Sequence, residues 1–211
     1  KTSILIIIFV AVAITFISQS KIFPKKEKAI VSEVDSNNVV YKIAVFANGC
    51  FWCVEHDLEQ VKGVKEVISG YSGGVGENPI YENYSEKGYR EVVQVSYDES
   101  VVSYSDLVEH ILKHGDPTDS EGSFVDRGRQ YSPAIYFEND IEKKQAEQVI
   151  QKIRDLRVFD KEINIPVLNR VKFWPAEEYH QDYYNRNTYA GYCQAVITPK
   201  ITKLKKLSGK F

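Results

Sequence analysis

The 211 residues contain no methionine, two tryptophans, four histidines and three cysteines. Three is an odd number, so at least one thiol is left over, and a static disulfide scaffold is excluded. No second cysteine pair is present, although structural zinc sites usually bring two. There is no basic surplus: 27 Lys and Arg face 29 Asp and Glu, for a formal net charge of −2. Nucleic acid is therefore not expected as a partner. No internal repeat is visible. The longest apolar run, Ile4 to Ile17, has fourteen residues, short of the roughly 20 that a membrane span needs.

That run has the length and flanks of a secretory signal. A lysine precedes it, and Ser18-Gln19-Ser20 offers small residues for cleavage. Residues 1–20 are expected to be a signal peptide, or else an uncleaved anchor tethered through residues 4–17. Either places the rest outside the cytoplasm, most simply in a bacterial periplasm. Residues 21–40 read as a polar tether. Residues 41–211 are expected to form one folded domain, since the apolar fraction, 43%, is ordinary for a globular chain. Most of the 14 tyrosines and 10 phenylalanines are assigned to packing.

Periodicity predicts a strand at "YKIAVFA" (41–47) and a helix over Phe51 to Val61, with Val54, Leu58 and Val61 on one face. Strands follow at "VKEVISGY" and "REVVQVSYD", separated by a long loop bearing Gly, Asn and Pro. A helix begins at Ser103 with Asp106 completing a capping box. A second long loop, the strand "PAIYFEND", a helix from Asp140 to Arg157, a last strand "IPVLNRVKFW" and a short helix after Pro175 complete the domain. The first six elements match the split βαβ order of ferredoxin-like α+β folds, with helices on one face of the sheet. The tail beyond Cys193 is basic: Lys200, Lys203, Lys205, Lys206 and Lys210.

The segment "NGCFWCVEHD", Asn48 to Asp57, carries the chemistry. Cys50 sits where strand becomes helix, and the helix's positive end is expected to favour its thiolate. Three readings are open. Cys50 and Cys53 form the dithiol of a thioredoxin-like disulfide exchanger. Alternatively, Cys50, Cys53 and His56 clamp a metal, although zinc wants a fourth ligand. The haem attachment pattern fails because Val54, not histidine, follows the second cysteine. In the third reading Cys50 is a lone nucleophile, with Phe51 and Trp52 as the wall of a pocket.

The third reading is where the sequence resembles a known family, the A-type peptide methionine sulfoxide reductases. The matching pieces are "GCFW", "GVKEVISGYSGG", "NPIYE", "REVVQVSYD", "GDPT", "DRGRQYSPAIY", "PAEEYHQDYY" and "GYC", in the family's order over roughly residues 42–200. The resemblance implies reduction of methionine S-sulfoxide, free or within proteins, by a monomer using thiols alone, with no metal and no organic cofactor. Cys50 would attack the sulfoxide sulfur, and Glu91, a carboxyl among apolar strand residues, would protonate its oxygen. Tyr81 and Tyr131 would bind that oxygen, Asp126 would help hold substrate and water, and Phe51 and Trp52 would cage the methyl group. The sulfenic acid left on Cys50 would be resolved by Cys193 in a mobile "GYC" segment, and the disulfide recycled by a thioredoxin-like reductant. Cys193 is the expected first resolver. The family more often has a small residue where Cys53 stands, so Cys53 is read as resolver, relay or packing. His180 is expected to line the site as a hydrogen-bonding group. "KGYRE" departs from the family's common Gly-His-Ala-Glu, which leaves the shape of that loop open.

Overall fold

Strands β1 (Tyr41–Ala47), β2 (Val64–Ser72), β3 (Arg90–Asp98) and β6 (Ala134–Phe137) run in the order β6-β1-β3-β2, each antiparallel to its neighbour. A computed structural model describes residues 39–208. Helix α1 (Phe51–Glu59) joins β1 to β2, and α2 (Tyr104–Lys113) follows β3. This is the expected split βαβ arrangement, extended by α3 (Asp140–Asp155) after β6. The segments expected to serve as signal or anchor and as tether lie outside the described residues, except for residues 39 and 40. Among the described residues, no helix is long and apolar enough to cross a membrane.

Alternation along β1 divides the interior. Ala44 and Phe46 point to the face covered by Leu58 of α1, Leu107 and Ile111 of α2 and Ile150 and Ile153 of α3. Val45 and Ala47 point the other way and pack with Val92, Ala134 and Tyr136 under Leu168 and Phe173. The start of α2 is set by local chemistry. The Ser103 hydroxyl accepts from the Asp106 N–H at 3.1 Å, and the Asp106 carboxylate accepts from the Ser103 N–H at 3.0 Å, satisfying two donors that helix geometry leaves unpaired.

One element is corrected. The expected strand "IPVLNRVKFW" is two short strands on opposite edges of the sheet. β7 (Val167–Asn169) pairs parallel with β6, and β8 (Trp174–Pro175) pairs antiparallel with β2. The chain between them crosses the face of the sheet opposite the helices, where Phe173 packs on the second cluster. Its reach is set by which edges were left unpaired, not by its own residues.

A two-stranded hairpin, β4 (Gly122–Ser123) with β5 (Asp126–Arg127), and a 3-10 turn over Arg129–Tyr131 lie between α2 and β6. After β8 come a 3-10 turn over Glu178–His180, the short α4 (Tyr183–Arg186), a π-helical turn over Cys193–Ile197 and α5 (Thr198–Ser208).

Candidate active site

The site grows from the end of β1. Gly49 turns the chain with φ +89°, and a Cβ there would fall 2.5 Å from the Cβ of Ser123, so both backbone and space require glycine. Cys50 caps α1 without a side-chain hydrogen bond to the helix. Because β3 runs antiparallel to β1 in a register that pairs Phe46 with Val93, the start of β3 lies beside this turn, and with it Glu91.

Glu91 is 2% exposed. Its Oε2 accepts the Phe51 N–H at 2.9 Å and its Oε1 accepts the Tyr84 hydroxyl at 2.7 Å. Burial pushes its pKa up to about 7, against the pull of those two donors. The expected raised carboxyl is therefore present, at the N-terminus of the helix that carries Cys50.

Cys50 departs from expectation. A favoured thiolate was expected at the helix end. Instead, hydrogen bonding with the Cys53 thiol, followed by burial, raises Cys50 well above an ordinary thiol. The nearby charge of Lys200 opposes this without reversing it. The helix end favours the thiolate, but the Cys53 thiol three residues along and burial at 4% exposure outweigh it.

All three cysteines are free and buried, and they share one apolar cluster with Ile197 and Ile201. Cys53 lies in the first turn of α1, where its N–H donates to the Cys50 carbonyl at 3.1 Å. Cys193, expected on a mobile segment, here opens the π-helical turn and is fully buried. Single π turns are rare and concentrate at functional places. Gly191 precedes it in helical conformation, with nothing within 4 Å of where a Cβ would sit.

The aromatic residues converge as one stack. Trp52 lies face to face with Tyr183, centroids 3.9 Å apart, and its Nε1–H donates to His180 Nδ1 at 3.2 Å. His180 stands 5.1 Å from Phe51 and 4.4 Å from Tyr81. Phe51 itself is buried against Tyr71 and Trp52. Burial, with Glu91 and Cys50 nearby, pushes Tyr81 up to about 12 and raises Tyr131 further. Both phenols thus remain protonated.

Two residues escaped the sequence reading. Tyr84 carries the hydroxyl that holds Glu91. Lys200, from α5, is 4% exposed, and its Nζ donates to Asp126 Oδ2 at 3.2 Å. The other oxygen of Asp126 accepts the Tyr192 hydroxyl at 2.9 Å. A Cβ on Gly49 would lie 3.0 Å from that Nζ, so the ammonium rests against the turn into Cys50. The tail's basic character was visible, but nothing local distinguished Lys200 from its solvated neighbours.

A buried nucleophilic thiol, a half-protonated buried carboxyl, phenol donors and an aromatic wall suit the reduction of a small polar S–O group flanked by apolar carbon. The peptide methionine sulfoxide reductase family model matches residues 42–210. The chain belongs to that family. It is 42% identical over 180 residues to the peptide methionine sulfoxide reductase MsrA/MsrB of Vibrio cholerae serotype O1, covering 84% of this chain but only 46% of that protein. It is 48% identical over 144 residues to MsrA 2 of Rhizobium meliloti, covering 68% of this chain and 72% of that one. Among solved structures it is similar to reduced Mxr1 from Saccharomyces cerevisiae, with a TM-score of 0.67 and 25% identity over 76% of this chain and 92% of that chain. The α+β architecture is thus that of the family, and the reaction class is thiol-dependent reduction of methionine sulfoxide.

Proposed function

We propose that Cys50 is the nucleophile and Glu91 the acid of a monomeric methionine S-sulfoxide reductase, in which Cys53, not Cys193, resolves first. The observation that supports this is the first turn of α1, where Cys53 donates its N–H to the Cys50 carbonyl at 3.1 Å within the apolar cluster that all three thiols share.

The Cys50 sulfur attacks the sulfoxide sulfur while its proton is handed on and Glu91 protonates the oxygen, with Tyr81 and Tyr131 donating to that oxygen as charge develops. The protonated oxygen leaves the substrate sulfur as hydroxide, hydroxide adds to the Cys50 sulfur, and methionine departs with the electron pair of the sulfur–sulfur bond, so that Cys50 becomes a sulfenic acid. The Cys53 thiol attacks it, expelling water and forming a Cys50–Cys53 disulfide. Exchange by Cys193 frees Cys50 and moves the disulfide to Cys53–Cys193. A thioredoxin-like dithiol then returns two electrons. Asp126, held between Lys200 and Tyr192, positions the arm over the site. Export to the periplasm rests on the apolar run Ile4 to Ile17 alone.

The test is a coupled assay with S- and R-sulfoxides, followed by mass spectrometry of Cys53→Ser after one turnover. Turnover of the S epimer only is expected, abolished by Cys50→Ser. Cys53→Ser should accumulate sulfenic acid trapped by dimedone. A Cys50–Cys193 disulfide formed as quickly as in the parent would make Cys193 the first resolver.

A further inference from the structure

Between α1 and the end of α2, three side chains aim at one point. Asp57 comes from α1, His110 from α2, and His114 is the residue that caps the end of α2. His110 Nε2 lies 2.7 Å from Asp57 Oδ2. His114 Nδ1 lies 2.9 Å from Oδ1 and 2.8 Å from Oδ2. The imidazole centroids are 3.8 Å apart. The three donor atoms all lie within 4.8 Å of one another, and among the described residues no other group of three His, Cys, Asp or Glu side chains converges in this way. None of the three belongs to the chemistry described above.

The geometry points to a divalent transition-metal site built from Asp57, His110 and His114, of the class that zinc occupies. Histidines four apart on one helix face present their nitrogens side by side. Two imidazoles and a carboxylate are a donor set that suits zinc, cobalt and nickel, whereas calcium and magnesium prefer all-oxygen cages. Zinc–ligand bonds of about 2.0–2.1 Å put tetrahedral donors about 3.3 Å apart. The present Asp–His separations therefore need to open by only about half an ångström to admit the ion. The side chains are 16–20% exposed, enough for solvent to supply the remaining ligand. Each ring nitrogen now donating to Asp57 would turn its lone pair to the metal, and its proton would move to the other nitrogen of the same ring. No net proton need be released by a neutral imidazole.

The site has a place in the fold as well. Asn48, two residues before Cys50, donates through Nδ2 to the carbonyls of Ile111 at 3.1 Å and His114 at 3.4 Å. The end of α2 thus already holds the strand-to-helix turn, and a bound ion would tie that same end to the second turn of α1.

The experiment is zinc titration by calorimetry of the full chain, in the parent and in a Cys50→Ser/Cys53→Ser/Cys193→Ser variant that removes every thiol. One zinc per chain is expected in both, with affinity falling about tenfold or more in His110→Gln and again in His114→Gln. Circular dichroism checks that the variants fold, and Asp57→Asn gives an independent route if a histidine variant does not. Cobalt substituted into the thiol-free variant should show the absorption of a four-coordinate nitrogen–oxygen site. No binding, binding lost with the cysteines, or affinity unchanged when both histidines are replaced would overturn the assignment.

Discussion

Glu91→Gln isolates the acid from the scaffold around it. Glutamine keeps an oxygen to accept the Phe51 N–H, and its amide can donate to the Tyr84 hydroxyl, so the local hydrogen bonds now at 2.9 and 2.7 Å survive. What it cannot do is give up a proton. General acid catalysis contributes about 10²- to 10⁴-fold, so the single-turnover rate should fall by that factor, about 3–5 kcal/mol of barrier. The pH profile sharpens the test. Glu91 titrates at about 7 and Cys50 well above, so below pH 7 the pair carries two protons and above it one. The reactive arrangement, thiolate with protonated acid, carries one. The parent's rate should therefore climb about tenfold per pH unit up to about 7 and then level off. The variant should lose that break and keep climbing toward the ionisation of Cys50 itself. Quench-flow measurement of methionine released in one turnover, from pH 5 to 9, reads both effects. A variant within threefold of the parent, or one that keeps the break near 7, would refute the assignment of Glu91 as the acid.

Two further predictions concern groups that the chemistry does not consume. Lys200→Met leaves the buried Asp126 without its ammonium and should cost about 3 kcal/mol in denaturant unfolding. The break attributed to Glu91 should also move to higher pH, because a charge that lowers it is gone; an unmoved break would show that Lys200 does not act on the site. Glu55, 2% exposed, accepts from the Ser69 hydroxyl and from the Asp182 N–H, each at 3.0 Å, yet burial pushes it up to about 7. A carboxyl raised in the fold favours the native state below its unfolded pKa of 4.5, and this contribution is lost as pH rises through about 7. The loss is about 3 kcal/mol by pH 8. Glu55→Gln should flatten stability between pH 5 and 8, and equal pH slopes for both proteins would rule this out.

The parts of the fold that were legible in the sequence are those decided locally. β1 and β3 alternate, and the cap of α2 is a contact between residues three apart, so spacing alone finds them. The division of residues 165–174 between two sheet edges depends on partners far along the chain, and no periodicity encodes it. The same distinction runs through the site. Cys50, Trp52 and Glu91 sit in runs whose order carries information. Tyr84 is one tyrosine among 14, and Lys200 is one lysine in a basic tail. Each becomes special only when a buried carboxylate arrives opposite it. The thiolate expected of Cys50 failed for a related reason. A helix end is visible in one dimension, and so is the Cys53 thiol three residues on, but the exclusion of water is not.

Gly191 sits in a helical turn with open space where a side chain would go. The docked arm would accept almost any residue there, and glycine weakens it by about 0.5–1 kcal/mol relative to alanine. Cys193, two residues on, is sealed from solvent, so no external dithiol can reach it until this segment lifts. The deficit multiplies the lifted population by about two- to fivefold. In the proposed cycle, what looks like a flaw in the resting helix is a lower threshold for surrendering the disulfide, set two residues before the sulfur it releases.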